Sequence, residues 1–202
     1  MSKQKKITVF LTDVRQIKPR HFELISPERA EKTRRFRMPD DQKRSVAAGM
    51  LLQRLLPGAE IITNEYGKPK AKGDIQFNLT HSGRYAAIAL GGCEVGVDLE
   101  AVRPVNTLRM GKVVFCEREM ELLRKSSDRL GCFFDLWTKK EALLKCMGRG
   151  FHRSAKSVDV SGDRFDEDGV TYYFKTYRFA DYTLSVCAVK NDFARYTERI
   201  HI

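Results

Sequence analysis

Tyr85-Ala86-Ala87-Ile88-Ala89-Leu90-Gly91-Gly92-Cys93-Glu94-Val95-Gly96-Val97-Asp98-Leu99-Glu100 reads as two apolar runs joined by a pair of glycines. By the two-glycine rule for short connections, Tyr85 to Leu90 and Cys93 to Leu99 are expected to form a tight hairpin. Residues two apart on a strand share a face, so Asp98 and Glu100 project together while Val97 and Leu99 face the other way. Two carboxylates about 4 Å apart repel by roughly 4 kcal/mol at an effective dielectric near 20, and a bound cation converts that repulsion into attraction. A hard, oxygen-seeking ion such as Mg²⁺ suits the pair. The same pattern also arises where a surface strand simply ends in two solvated acids.

Upstream, Ile75-Gln76-Phe77-Asn78-Leu79 alternates as a half-buried strand that Thr80-His81-Ser82-Gly83 is expected to break. Ile61 and Ile62 form a short strand leading into Asn64-Glu65-Tyr66-Gly67-Lys68-Pro69, which has turn chemistry throughout. Ile7 to Leu11 reads as a first strand. Ser26-Pro27 starts a helix, with Ser as cap, that carries the basic run Arg29, Lys32, Arg34, Arg35 and Arg37. Asp40 or Asp41 is expected to cap a second helix, with Val46, Ala47, Met50, Leu51 and Leu55 on its apolar side and Arg44 in its first turns.

Downstream, Ala101 to Pro104 reads as a connector. Glu117 to Lys125 and Cys132 to Met147 read as helices, the second stopped by Gly148-Arg149-Gly150. Tyr172 to Phe179 and Tyr182 to Lys190 are expected to close the chain as a hairpin about Ala180-Asp181. The spacing of eight from Phe77 to Tyr85 recurs from Phe174 to Tyr182, which hints at a duplicated α+β unit. On the second of the two long helices, Trp137, Glu141 and Lys145 lie at i, i+4 and i+8, a single ridge with steps of about 6 Å. Read alone, Glu141 and Lys145 are an exposed helical ion pair and Trp137 is core. Beside the upstream DxE, a third carboxylate and a lysine suggest a metal plus a phosphate.

The chain carries 37 Lys+Arg against 26 Asp+Glu, a net charge of +11, which favours an anionic partner. Residues 1–56 hold 14 basic and 6 acidic side chains, so most of the excess lies at the front. The five cysteines are widely spaced with no CxxC pair, as expected of reduced thiols rather than a disulfide framework or a zinc site. The start is too short in apolar residues for a signal peptide, and no run approaches the ~18 residues of a membrane helix. A cytoplasmic, soluble protein is therefore expected.

Five blocks together resemble the Sfp-type 4′-phosphopantetheinyl transferases: Tyr66-Gly67-Lys68-Pro69, Phe77-Asn78-Leu79-Thr80-His81-Ser82, Gly96-Val97-Asp98-Leu99-Glu100, Trp137-Thr138-Lys139-Lys140-Glu141-Ala142-Leu143-Leu144-Lys145 and Gly148-Arg149-Gly150-Phe151. Residues Ser26 to Arg44 are also similar to the family's basic segment, with Arg29 where some members carry lysine. The resemblance implies an α+β fold of two similar pseudo-twofold-related subdomains, each a small antiparallel sheet packed with helix. Residues 1–101 would form the first, with the DxE strand, and residues 102–202 the second, with the site at their interface in a monomer.

The implied reaction transfers the phosphopantetheine arm of coenzyme A to a serine of an apo acyl or peptidyl carrier protein, releasing 3′,5′-adenosine bisphosphate. The resemblance implies that Asp98, Glu100 and Glu141 hold Mg²⁺, with Mn²⁺ as a substitute. It further implies that Glu141 takes the serine proton and that Lys145 stabilises or protonates the leaving phosphate. His81 and Lys140 would contact phosphate, Thr80 the nucleotide, and Arg29, Lys32, Arg44 and Lys68 the 3′-phosphate and adenine end. Two other classes use similar residues: a Mg²⁺-dependent nuclease or phosphodiesterase, and a non-catalytic module that binds CoA or a carrier. No zinc knuckle or aromatic RNA-binding signature is present, so no nucleic-acid or membrane partner is expected.

Overall fold

The computed structural model describes residues 6–148 and 154–202, so Arg149, Gly150 and Phe151 of the last block lie outside the described residues. Strand β1 (Thr8–Asp13) is followed by helices α1 (Pro27–Arg34) and α2 (Pro39–Leu55), the short pair β2 (Ile61–Thr63) and β3 (Pro69–Ala71), and the hairpin β4 (Gln76–Ser82) and β5 (Tyr85–Gly91). Strand β6 (Val95–Ala101) then leads through α3 (Thr107–Val114), α4 (Glu117–Lys125) and α5 (Arg129–Met147) to β7 (Arg164–Glu167), β8 (Val170–Phe179), β9 (Tyr182–Ala188) and β10 (Glu198–Arg199).

The expected hairpin across Gly91-Gly92 does not form. Strand β5 already has β4 on one edge and β1 on the other, so no edge is left for β6. Neither Gly91 nor Gly92 has the positive φ of the two-residue hairpin turns. The chain instead crosses to a second sheet, where β6 pairs antiparallel with β9. A division at residues 101 and 102 would leave β6 with the first half, whereas its backbone pairing lies wholly in the second sheet.

The two sheets then match. The order β1-β5-β4 in the first repeats as β6-β9-β8 in the second. Each contains an antiparallel hairpin, β4–β5 or β8–β9, whose last strand also pairs with the opening strand of its own half. The two tyrosines of the repeated spacing meet: Tyr85 and Tyr182 pack edge to face with ring centroids 4.9 Å apart. The architecture is α+β with two similar halves. Val9, Leu11, Ala87 and Ala89 of the first sheet pack against Val95, Val97, Leu99, Leu184 and Val186 of the second. On the outer faces, α1 and α2 cover Phe77, Ala86 and Ile88 while α3 to α5 cover Phe174 and Cys187.

Several local expectations are corrected. Strand β4 continues through Thr80 and His81 to Ser82, and the turn comes at Gly83 with φ +52°. Met38 is the cap of α2, Pro39 takes its first position, and Asp40 and Asp41 sit in the first turn. Helix α3, capped by Asn106, and strand β7 were not anticipated. The turn Asp168-Gly169, with both φ values positive, is the hairpin signal that precedes β8. The tail returns to the first sheet, where β10 lies parallel to β1. Ser26 caps α1, as expected, by accepting the Arg29 N–H. No helix among the described residues is long and apolar enough to cross a membrane.

Gly96 sets the distance between β6 and α5. A Cβ there would lie 2.1 Å from Ala142 O and 2.3 Å from Cys146 N, both backbone atoms of the helix. Gly96→Ala must push α5 away, which for an overpacked site costs about 1–3 kcal/mol. Thermal unfolding should fall by ~2–4 °C for each kcal/mol lost in a chain of this size. Gly92→Ala, with nothing within 4 Å, should melt as wild type does.

Candidate active site

Because Gly96 and Asp98 share a face of β6, the strand that touches α5 at Gly96 also points Asp98 towards that helix. Asp128 caps α5 by accepting the Gly131 N–H at 2.9 Å, and Gly148 ends it in the left-handed conformation. One turn apart on this helix, Glu141 and Lys145 arrive opposite β6. Lys145 does not pair with Glu141: its ammonium lies 2.5 Å from Asp98 Oδ1 and also donates to Val97 O at 3.3 Å. Asp98 is only 5% exposed, and its Oδ2 is buried with no hydrogen-bond partner among the described residues.

The outer edge of β6 is held by side chains of β4. Asn78 Oδ1 accepts the Val97 N–H at 2.9 Å, Thr80 Oγ1 the Leu99 N–H at 3.3 Å, and Ser82 Oγ the Ala101 N–H at 3.2 Å. The two hydroxyls also donate to the acids, Thr80 to Asp98 Oδ1 at 3.4 Å and Ser82 to Glu100 Oε2 at 2.9 Å. Among the site residues expected from the sequence, Asn78 and Ser82 are absent. Their period-2 alternation with Thr80 was the available signal, since it places all three on one face of β4.

Burial raises the pKa of Asp98 above the usual carboxylate range, against the opposing pull of Lys145. Burial first and then the charge of Asp98 raise both Glu100 and Glu141. Three raised carboxyls, Asp98 by burial and the other two by burial and the charge of Asp98, one with an orphaned buried oxygen, are a donor set that fits a hard divalent cation. They are not drawn tight: among the described residues, the group whose potential ligand atoms lie within 4.8 Å of one another is Cys116, Glu119 and Asp159. That second group is a structural node. Glu119 is fully buried, accepts the Cys116 and Val160 N–H groups, and pairs with Lys140 at 2.8 Å.

Arg29, Lys32, Thr80, His81, Asp98, Glu100 and Lys145 line one cleft of about 270 Å³. Glu141 and Lys145 line the adjoining pocket of about 230 Å³, whose far wall is the turn Tyr66-Gly67-Lys68-Pro69. Burial and then Arg44 lower the pKa of His81, while burial lowers those of Arg29 and Lys32. Arg44 donates to Gly83 O and pairs with Asp41. The cleft thus has acids at one end and cationic side chains at the other.

Two expected phosphate contacts are corrected. A lysine ammonium has three protons to donate. Those of Lys140 reach Glu119, Ala155 O and Val158 O, and the side chain is 3% exposed on the core side of α5. Those of Lys68 reach Glu94, Val95 O and Cys146 O. Both ammoniums are saturated by protein, so neither offers a proton to phosphate. Trp137 stacks on Phe133 and packs against the second core, as expected. All five cysteines are free.

The sequence profile of the 4′-phosphopantetheinyl transferase superfamily matches residues 94–194. The 4′-phosphopantetheinyl transferase Sfp of Bacillus subtilis (strain 168) is 32% identical over 197 residues, covering 86% of each chain. The chain belongs to the 4′-phosphopantetheinyl transferase family. A second Bacillus subtilis 4′-phosphopantetheinyl transferase is 31% identical with 84% of each chain covered. The 4′-phosphopantetheinyl transferase AcpT of Salmonella typhimurium is 39% identical over 51% of this chain and 57% of its own. The superfamily match spans β6, α5 and the β8–β9 hairpin, so this family member carries Asp98, Glu100, Glu141 and Lys145 within the matched segment.

Two tests follow from the geometry. Lys140→Ala leaves Glu119 as a buried charge without its cation and should cost about 3–5 kcal/mol in chemical denaturation. Glu141→Gln removes a carboxyl whose folded-state pKa is raised. Such a group favours the fold most below the ordinary carboxylate pKa and loses that contribution as pH rises through its folded value. In metal-free thermal melts, Glu141→Gln should therefore gain on wild type as pH rises from about 4 to about 8.

Proposed function

We propose that the protein transfers the 4′-phosphopantetheine group of coenzyme A to a serine hydroxyl of an apo acyl or peptidyl carrier protein, releasing 3′,5′-adenosine bisphosphate. The observation that carries this reading is the buried Asp98, whose Oδ2 has no partner among the described residues, paired with Lys145 in a cleft that Arg29, Lys32 and His81 also line. Family membership supplies the reaction class.

Asp98, Glu100 and Glu141 would hold Mg²⁺ or Mn²⁺, which when bound neutralises charge on the pyrophosphate and orients it. Arg29, Lys32, Arg44 and His81 bind the phosphates at the nucleotide end, and Thr80 lies beside the nucleotide. Phosphoryl transfer depends chiefly on positioning and on placed charge. Glu141 accepts the serine proton. The serine oxygen bonds to the phosphorus nearest pantetheine while the bond from that phosphorus to the bridging oxygen breaks. Lys145 leaves its contact with Asp98 to stabilise or protonate the departing phosphate.

Two subdomains, residues 1–101 and 102–202, meet at this site, the first supplying the DxE acids on β6, whose backbone pairs within the sheet of the second. Both sides of the cleft come from one chain, which supports action as a monomer. Free cysteines support a reducing cytoplasm as its place. The positive charge steers acidic carriers towards the site.

Incubation with CoA, Mg²⁺ and several apo carriers should add one phosphopantetheinyl group, read by mass spectrometry. CoA binding without modification would assign a binding module instead. Asp98→Ala should fold and lose transfer by at least about a hundredfold, since losing even an outer partner of a metal ligand typically costs about 10–100-fold in affinity or activity. Lys145→Ala should lower kcat more than it raises the KM for CoA, because its contact with the leaving group develops in the transition state.

A further inference from the structure

We propose that Ser82 is a positioning residue for this reaction, holding the carboxylate of Glu100 through a hydroxyl that the backbone of β6 itself orients. The inference rests on the cation-binding reading of Asp98, Glu100 and Glu141. A serine hydroxyl has one proton and two lone pairs. Ser82 Oγ uses a lone pair to accept the Ala101 N–H at 3.2 Å, which restricts where its proton can point. The proton goes to Glu100 Oε2 at 2.9 Å, on the residue immediately before that amide.

The other positions of the same row show that this contact has a use beyond closing the strand edge. Asn78 accepts the Val97 N–H and reaches no acid. Thr80 accepts the Leu99 N–H, but its contact with Asp98 is long at 3.4 Å, and Asp98 is held mainly by the Lys145 ammonium at 2.5 Å. Glu100 has no cation in contact: among the described residues no ion pair includes it, and Arg103 and Lys145 act on it only from beyond pairing distance. Its orientation depends on Ser82. A glutamate released from that bond regains several rotamers, and a ligand that must be reordered binds its cation more weakly. Loss of the outer hydrogen bond to a metal-binding carboxylate characteristically weakens affinity by about 10–100-fold.

The test titrates Mn²⁺ into wild type, Ser82→Ala, Ser82→Thr and Asn78→Ala with CoA present, reading free Mn²⁺ by electron paramagnetic resonance and folding by thermal melts. Ser82→Ala should bind Mn²⁺ about tenfold more weakly and need correspondingly more Mg²⁺ for half-maximal turnover. Ser82→Thr, which keeps the hydroxyl, should stay near wild type. Asn78→Ala breaks the same row without touching an acid, and should lower the melting temperature while leaving Mn²⁺ affinity unchanged. Equal affinity in Ser82→Ala and wild type would overturn the proposal, as would equal weakening in Asn78→Ala or no Mn²⁺ binding by wild type. Serine-dependent Mn²⁺ binding in a protein that modifies no carrier would support the role of Ser82 and reject the transferase reading instead.

Discussion

Strand β6 has one edge paired within a sheet and the other turned towards a different sheet, and the second edge is closed by side chains. Its outward N–H groups at Val97, Leu99 and Ala101 donate to Asn78, Thr80 and Ser82. Its outward carbonyls at Val95 and Val97 accept from Lys68 and Lys145. A buried backbone group left without a partner costs about 1–3 kcal/mol, so a slip of β6 along β4 would forfeit several such bonds together. The register across the seam is therefore fixed by one row of β4 and two lysines. The positions of Asp98 and Glu100 follow from it.

The seam also explains why the acids can sit where they do. Asp98 is buried with one oxygen paired to Lys145 and the other without a partner among the described residues, and burial disfavours its ionised form against the pull of Lys145. Glu100 and Glu141 each feel that charge and are raised in turn. Rigid packing sustains the arrangement: Gly96 lets the α5 backbone approach β6 closely, and the Asn64 side chain ties the Tyr66-Gly67 turn to Gly148 at the end of that helix. A site that is electrostatically unfavourable when empty is held by close backbone packing and neutral hydrogen bonds together with the two lysines that bind β6.

The period-2 and 3.6-residue patterns gave most of the strands and most of the helices, because those periods report which face of each element is apolar. They placed Asp98 beside Glu100 and Glu141 beside Lys145, since each pair lies on one element. They did not give the partner of β6. An apolar run followed by two glycines and a second apolar run has the local form of a hairpin, and only the occupation of both edges of β5 by β1 and β4 excludes it. The lysines show the same limit. Lys68 and Lys140 carry the charge of a phosphate ligand, yet each is consumed by acceptors remote in the chain.

By itself the sequence determined what depends on near neighbours: the α+β content, the shared face of the DxE acids, the ridge on α5 and the cationic excess of residues 1–56. Only the tertiary structure decided that the acids stand at a seam between two sheets, that Lys145 pairs with Asp98 rather than with Glu141, and that Ser82 holds Glu100. Hydrogen bonds across that seam join residues about twenty apart in the chain, and the ion pair joins residues 47 apart. No local period encodes such pairings, because which donor meets which acceptor is fixed only when both sheets and both helical layers are in place.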